Sequence, residues 1–340
     1  MRVTGTLYVT DHRAHVRLRK GTILVEQPSG WQRVPIESLD GLVLTGRAEI
    51  TNDAIGELVR RGIRIAALSK SGKLRFAIGG PVSGNVHLRI AQHAQAQDGP
   101  AAARVARWLV AGKLQNCRRS MQRWLWDAAG SSRWIIDREI VALAERIAGL
   151  GESLDGDRIR GIEGDGTRRY FKCLGLHLSH GDLGLSFERR SRRPPRDPVN
   201  ALLSFMYGVV LTELVGALDA VGLDPQIGFL HRPRSGRPSL ALDLLEEFRP
   251  SIADRFAVGL LMRRQIRVEH FEVVAGAHYL NERGRALVLG LYEDYRNEEV
   301  AHPVLARSVG RWALPTVQAT LLARYLRGDL PVYPPFIYAA

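Results

Sequence analysis

Two periodicities divide the chain. Over residues 1–80, short apolar and β-branched runs at 6–9, 16–19, 22–26, 31–35 and 42–44 alternate with Gly, Asp and Pro turns, the pattern of half-buried strands. One stretch there has a helical period. Asn52 or Asp53 is placed to cap it, Ile55, Leu58 and Val59 recur on one face, and Gly62 ends it. Strand-like sequence returns at 63–68 and 74–78. A glycine-rich break, Gly79-Gly80-Pro81-Val82-Ser83-Gly84, then reads as a hinge, followed by a short helix at 86–97 and an Asp98-Gly99-Pro100 breaker. From residue 101 apolar positions recur every three to four residues, predicting helices over 101–127, 135–150, 201–221, 239–248, 252–264, about 281–295, 303–311 and 315–327. A weak alternation at 267–279 suggests a small hairpin. The expected fold class is α+β: a small N-terminal β-strand-rich domain (1–80), a linker (81–99), a larger all-α C-terminal domain (100–330) and a tail (331–340). The tail carries Pro331, Pro334 and Pro335, too much proline for a regular element, and is expected to be disordered or to dock on a partner.

Charge changes the picture more than composition does. Lys+Arg number 48 against 35 Asp+Glu, a net charge of +13, with arginine dominant. Guanidinium forks suit phosphate, so a nucleic acid is the expected partner of this chain. Cys117 and Cys173 lie far apart in helical sequence, which argues against a disulfide framework or thiolate metal site and for a reducing, cytoplasmic setting. The first fifteen residues have no apolar signal core, and the longest apolar run, 202–211, is too short for a bilayer, so no membrane partner is expected.

The candidate chemistry gathers at 228–250, GFLHRPRSGRPSLALDLLEEFRP. His231 ends an apolar run and a basic turn (Arg232, Arg234, Arg237) leads into an amphipathic helix. On that helix Asp243 stands three residues from Glu246 and four from Glu247, so the carboxylates are expected on one face. Oxygen ligands with one imidazole and no thiolate favour Mg²⁺ or Mn²⁺. Glu163 lies in Gly161-Ile162-Glu163-Gly164 and reads as a turn carboxylate before a helix starting near Thr167. His177 and His180 have ligand spacing without an accompanying carboxylate motif, and a surface loop is expected there. Arg189, Arg190, Arg192 and Arg193, stiffened by Pro194, Pro195 and Pro198, read as a phosphate-binding loop. The 101–127 helix reads equally as a DNA-facing helix or as a core helix with a solvated cationic face.

Three blocks carry a resemblance: Gly161-Ile162-Glu163-Gly164, Asp197-Pro198-Val199-Asn200-Ala201-Leu202-Leu203-Ser204-Phe205, and the whole of 228–250. In this order and spacing the chain resembles the adaptation integrase of CRISPR systems, the CRISPR-associated endonuclease "Cas one". The segment Gly80-Pro81-Val82-Ser83-Gly84-Asn85-Val86 is similar to members from type I systems, with the C subtype the nearest. The resemblance implies a homodimer built through the β domains. It implies a metal triad of Glu163, His231 and Glu246, with Asp243 at a carboxylate position that some members also use; spacing alone does not choose between Asp243 and Glu246. It implies double-stranded DNA substrates (prespacer and CRISPR repeat), a second adaptation protein ("Cas two") as partner, and a DNA endonuclease and integrase that inserts spacers by attack of a 3′-hydroxyl. Two other classes remain open on the residues: a non-enzymatic nucleic-acid binder, and a metal-dependent RNA-processing nuclease.

Overall fold

In the computed structural model, residues 5–69, 72–80, 86–151, 155–179, 185, 187–191 and 194–338 are described. The alternating first segment folds into strands β1 (Gly5–Val9), β2 (His15–Arg19), β3 (Thr22–Gln27), β4 (Gly30–Pro35), β5 (Leu39–Thr45) and β6 (Glu49–Ile50), helix α1 (Asn52–Arg60), and strands β7 (Arg64–Leu68) and β8 (Leu74–Ile78). They form two four-stranded sheets, β1-β5-β7-β8 and β4-β3-β2-β6. Val16, Ile23, Leu42, Leu58 and Ile65 close a core of their own between them. Thr51, rather than Asn52 or Asp53, caps α1, its hydroxyl accepting the Ala54 N–H. Two-residue β6 is too short to leave a periodic trace in the sequence.

Helices α2 (Val86–Gln97), α3 (Gly99–Asp127), α4 (Gly130–Ala148), α5 (Gly156–Ser179), α6 (Pro198–Val221), α7 (Ser239–Phe248) and α8 (Arg255–Met262) build the second body. Strands β9 (Phe271–Val274) and β10 (Ala277–Leu280), helix α9 (Glu282–Asn297), strands β11 (Glu299–His302) and β12 (Arg307–Gly310), and helix α10 (Leu314–Leu326) complete it. Asp98 is a helix start rather than a breaker: its carboxylate caps α3 at Ala101, with Pro100 in the first turn. Asp197 caps α6 as expected, and Gly222 ends it at φ 91°. The helical pattern at 303–311 is corrected to a β11–β12 hairpin. Ala306 adopts φ 49° in its turn, and buried His302 bonds Gln318 Oε1 of α10 at 3.1 Å, which holds the first strand against the core.

α3 is a core helix. Val105, Leu109, Leu114, Met121 and Trp124 are buried along it. α6 is long and apolar enough to cross a bilayer by length and composition, beyond the shorter run judged from sequence, but 61% of that apolar window is buried inside the protein, as in a core helix. His177 is corrected from a surface loop to a buried residue of α5, stacked on Trp124 with ring centres 5.2 Å apart. His180, residues 81–85 of the expected hinge, Arg192 and Arg193 lie outside the described residues.

The two bodies meet through polar clamps. Arg64 pairs with Asp219 at 2.6 Å and donates to the Gly216 carbonyl on α6. Arg296 of α9 donates to Thr6 Oγ1 of β1 at 2.5 Å and pairs with Glu213 of α6 at 3.6 Å. The proline-rich tail is neither loose nor left for a partner. Tyr333, Phe336 and Tyr338 are buried in the chain's own helical core. Gly112 makes room for it, since a Cβ there would lie 2.5 Å from Pro335.

Candidate metal centre

Helices α3, α5 and α7 converge on one point, and each delivers a charged side chain to it. Glu163 comes from the middle of α5, not from a turn. The glycines that suggested a turn serve helix packing instead. A Cβ on Gly166 would meet Leu114 Cδ2 at 2.4 Å, so this glycine lets α5 lie directly on α3. Glycine inside a helix costs about 0.5–1 kcal/mol, an amount that close interhelical packing offsets. Gly161 and Gly164 would meet nothing within 4 Å, leaving bare backbone beside Glu163.

His231 is held by Asp243. One carboxylate oxygen of Asp243 accepts the backbone N–H groups of Phe229 (2.5 Å) and Leu230 (3.0 Å). The other accepts the His231 backbone N–H (2.9 Å) and His231 Nδ1 (2.7 Å). An ionised carboxylate only accepts, so Nδ1 carries the proton and the Nε2 lone pair faces the site. Gly228 is required by this cradle, because a Cβ there would lie 2.8 Å from Asp243 Oδ2 and from Ser239. Arg160 of α5 closes the loop from outside by donating to the Leu230 carbonyl at 3.0 Å.

Glu246, one turn beyond Asp243, points at the same space. Its Oε1 lies 3.9 Å from His231 Nε2 and 3.4 Å from the Arg249 guanidinium. Its Oε2 is buried without a hydrogen bond of good geometry; the Lys113 ammonium of α3 faces it at 2.5 Å. Lys113, 3% exposed, also pairs with Glu163, whose carboxylate accepts the Thr167 hydroxyl as well. Burial opposes ionisation of Glu246, yet Arg249, Lys113 and His231 together outweigh it and hold its pKa at about 2. The same reciprocity keeps Lys113 charged: burial disfavours the ammonium, and Glu246 and Glu163 raise its pKa despite that.

The helix carboxylates do not all share one face. Glu247 points the other way, where the Tyr333 hydroxyl, the Phe336 N–H and the Gln318 amide meet it. Burial pushes its pKa up to about 7. The donor set that remains, two carboxylates and one imidazole nitrogen, fits a divalent ion of the Mg²⁺ or Mn²⁺ kind. One feature supports that fit: Nε2 is presented by a carboxylate-anchored histidine. Asp243 fits it poorly, since both its oxygens already accept two N–H groups each.

The arginines separate. Arg234 is exposed, Arg237 is half-buried, and exposed Arg232 pairs with Asp157 at 3.1 Å, all in the connection between His231 and α7. Arg189 is exposed. Arg190, expected at phosphate, is half-buried and tied into the protein. It bonds Asn200 Oδ1 (2.6 Å) and Ser204 Oγ (2.9 Å) and lies over the Tyr207 ring. The sequence reading missed Lys113 and Arg249 as members of the site. The signals were present: Lys113 is a cation on the same helical stripe as Leu109, Asn116 and Cys117, all buried, and Arg249 follows Glu246 by three residues.

A family model for "CRISPR associated protein Cas1" matches residues 7–294. The chain is 40% identical to a CRISPR-associated endonuclease Cas1 of Moorella thermoacetica over 98% of both chains. Its fold is similar to that of a casposase bound to integration product, with TM-score 0.83 at 20% identity, covering 99% of this chain and 95% of that one. It is similar also to a chain of a Cas6-RT-Cas1–Cas2 complex, with TM-score 0.81 at 19% identity, over 100% of this chain and 37% of that one. With its β-sheets, its helical body and the three convergent helices in place, the chain belongs to the CRISPR-associated protein Cas1 family.

Proposed function

We propose that this protein is a divalent-metal-dependent DNA endonuclease and integrase of CRISPR adaptation, with Glu163, His231 Nε2 and Glu246 as ligands of Mg²⁺ or Mn²⁺. The observation that carries the reading is the Asp243–His231 hydrogen bond, which leaves Nε2 facing Glu246 at 3.9 Å, while Lys113 bridges Glu246 to Glu163. A bound ion supplies Lewis acidity to a phosphate oxygen and lowers the pKa of the attacking hydroxyl. The chain does the rest. Asp243 fixes the imidazole tautomer, Arg249 offsets charge at the transferring phosphoryl group, and Arg234 and Arg237 contact DNA backbone. When a DNA 3′-hydroxyl attacks, one P–O bond forms as another breaks, the leaving 3′-oxygen takes a proton, and a strand is joined; when water attacks, a nick results. The proposal includes a homodimer paired through the β domains, and the likeness to a chain of a Cas1–Cas2 complex supports the second adaptation protein Cas2 as partner.

The test is the joining of a short 3′-hydroxyl duplex to a plasmid carrying a repeat array, run in Mn²⁺, in Mg²⁺ and in chelator, beside an RNA substrate. Joining and nicking of DNA in metal alone are expected, and Glu163→Ala should abolish both while the fold survives. DNA binding without metal-dependent cleavage would mark a non-enzymatic binder, and preferential RNA cleavage would mark an RNA-processing nuclease; either overturns the reading.

A further inference from the structure

Lysine is scarce in this chain. Only Lys20, Lys70, Lys73, Lys113 and Lys172 interrupt an otherwise arginine set of 48 basic residues. One of the five is buried at the centre, its ammonium bridging Glu163 and Glu246. A guanidinium would be wider, would bind a carboxylate through a fixed fork and would resist withdrawal; an ammonium on a four-carbon stem is compact and can swing. The two carboxylates assigned to the metal are therefore already neutralised in the protein, by Lys113 between them and Arg249 beside Glu246. Without a cation there, buried Glu246 would face a second anion with its charge uncompensated, an arrangement that strongly destabilises a fold.

Lys113 also borders a narrow pocket, with room for about one water-sized group, together with Cys117, Thr167, Tyr170, Tyr207, Arg249 and Asp254. Asp254 is buried on the far side, accepting the Tyr207 hydroxyl at 2.6 Å. An ammonium leaving the carboxylate pair along this pocket would meet a third carboxylate, Asp254, which the pocket shares with Arg249.

Resting on the metal reading above, we propose that Lys113 is a tethered counter-ion: it holds Glu163 and Glu246 in place without metal, and a divalent ion binds by displacing it into the Asp254 pocket. Lys113 is thus a positioning residue, and its presence weakens metal binding to the DNA-free protein. The ion enters against a built-in competitor.

Mn²⁺ titrations by calorimetry on the full-length wild type, Lys113→Met, Lys113→Gln and Lys113→Arg test this. The Met and Gln variants should bind Mn²⁺ at least tenfold more tightly than wild type, and Arg more weakly. In chelator they should melt below wild type, and they should gain more melting temperature than wild type on adding Mn²⁺. A merely structural lysine would lower the melting temperature and leave Mn²⁺ affinity unchanged; that result in a folded Met or Gln variant overturns the proposal while the metal reading stands. If wild type and variants alike bind no Mn²⁺, the metal reading itself fails and Lys113 with it. Should both variants fail to fold, wild type decides. With five lysines, selective ¹³C labelling resolves Lys113 by NMR, and saturating Mg²⁺ should shift its Cε signal; an unmoved signal at saturation overturns the displacement.

Discussion

Asp243 and Glu246 stand three residues apart on one helix, and their surroundings give them different work. Asp243 spends four acceptor sites on the 229–231 backbone and the imidazole, while Glu246 faces cations. Asp243→Asn replaces an acceptor with an amide N–H that meets N–H donors, so His231 loses its tautomer control. Joining should slow by about ten- to a hundredfold, the usual cost of losing a partner behind a metal ligand. A second residue-scale prediction concerns Arg190. Because it clamps Asn200 and Ser204, Arg190→Gln should lower the melting temperature and leave the salt dependence of DNA affinity unchanged. A flatter slope of log affinity against log salt would return Arg190 to the DNA interface. Individual roles of this kind are poorly legible in sequence. The i, i+3 spacing puts both carboxylates near His231, but which of them the loop backbone consumes depends on a fold of the 222–238 connection that no periodicity encodes.

Whole elements were more legible, with instructive exceptions. Strands and helices announce themselves through apolar recurrence, so β1–β5, β7, β8, α2, α6 and the β9–β10 hairpin fall where the pattern puts them. α5 does not, because glycine is read as a breaker and here permits contact with α3. The tail does not either. Proline excludes helix and strand, but says nothing against an irregular strap whose polar backbone is satisfied by side chains. Asn116 bonds the Phe336 carbonyl and the Tyr338 N–H, and Glu247 takes the Phe336 N–H. Phe336→Ala should accordingly cost about 3–5 kcal/mol, the range for a buried phenylalanine, read by denaturant unfolding. The Glu247 anchor adds a pH signature. Its folded pKa, about 7, lies above the ordinary 4.5, so the folded state holds the extra proton. That contribution is complete below about pH 4.5 and is lost as pH rises through 7, of the order of 3 kcal/mol in all. Glu247→Gln should remove it: relative to the variant, wild type should lose stability between pH 5 and pH 8, and parallel profiles would show Glu247 to be ionised throughout.

At the scale of the molecule, a net charge of +13 surrounds a centre that is locally balanced. Carboxylates at 163 and 246 meet cations at 113 and 249, brought from four places in the chain by three helices and the π-helical segment Arg249–Asp254 that follows α7. Arg234 and Arg237, in the connection between His231 and α7, belong to the surplus positive charge. Replacing both by Gln should reduce the salt slope of duplex binding by about 0.9 for each phosphate that is no longer neutralised. The central claim is that Glu163, His231 and Glu246 form one divalent-ion centre which Asp243 supports without touching the ion. Calorimetric titration of Mn²⁺ into Glu246→Gln and Asp243→Asn tests it most directly. Glu246→Gln is expected to lose the ion and Asp243→Asn to retain it; retention by Glu246→Gln with loss by Asp243→Asn would contradict this assignment.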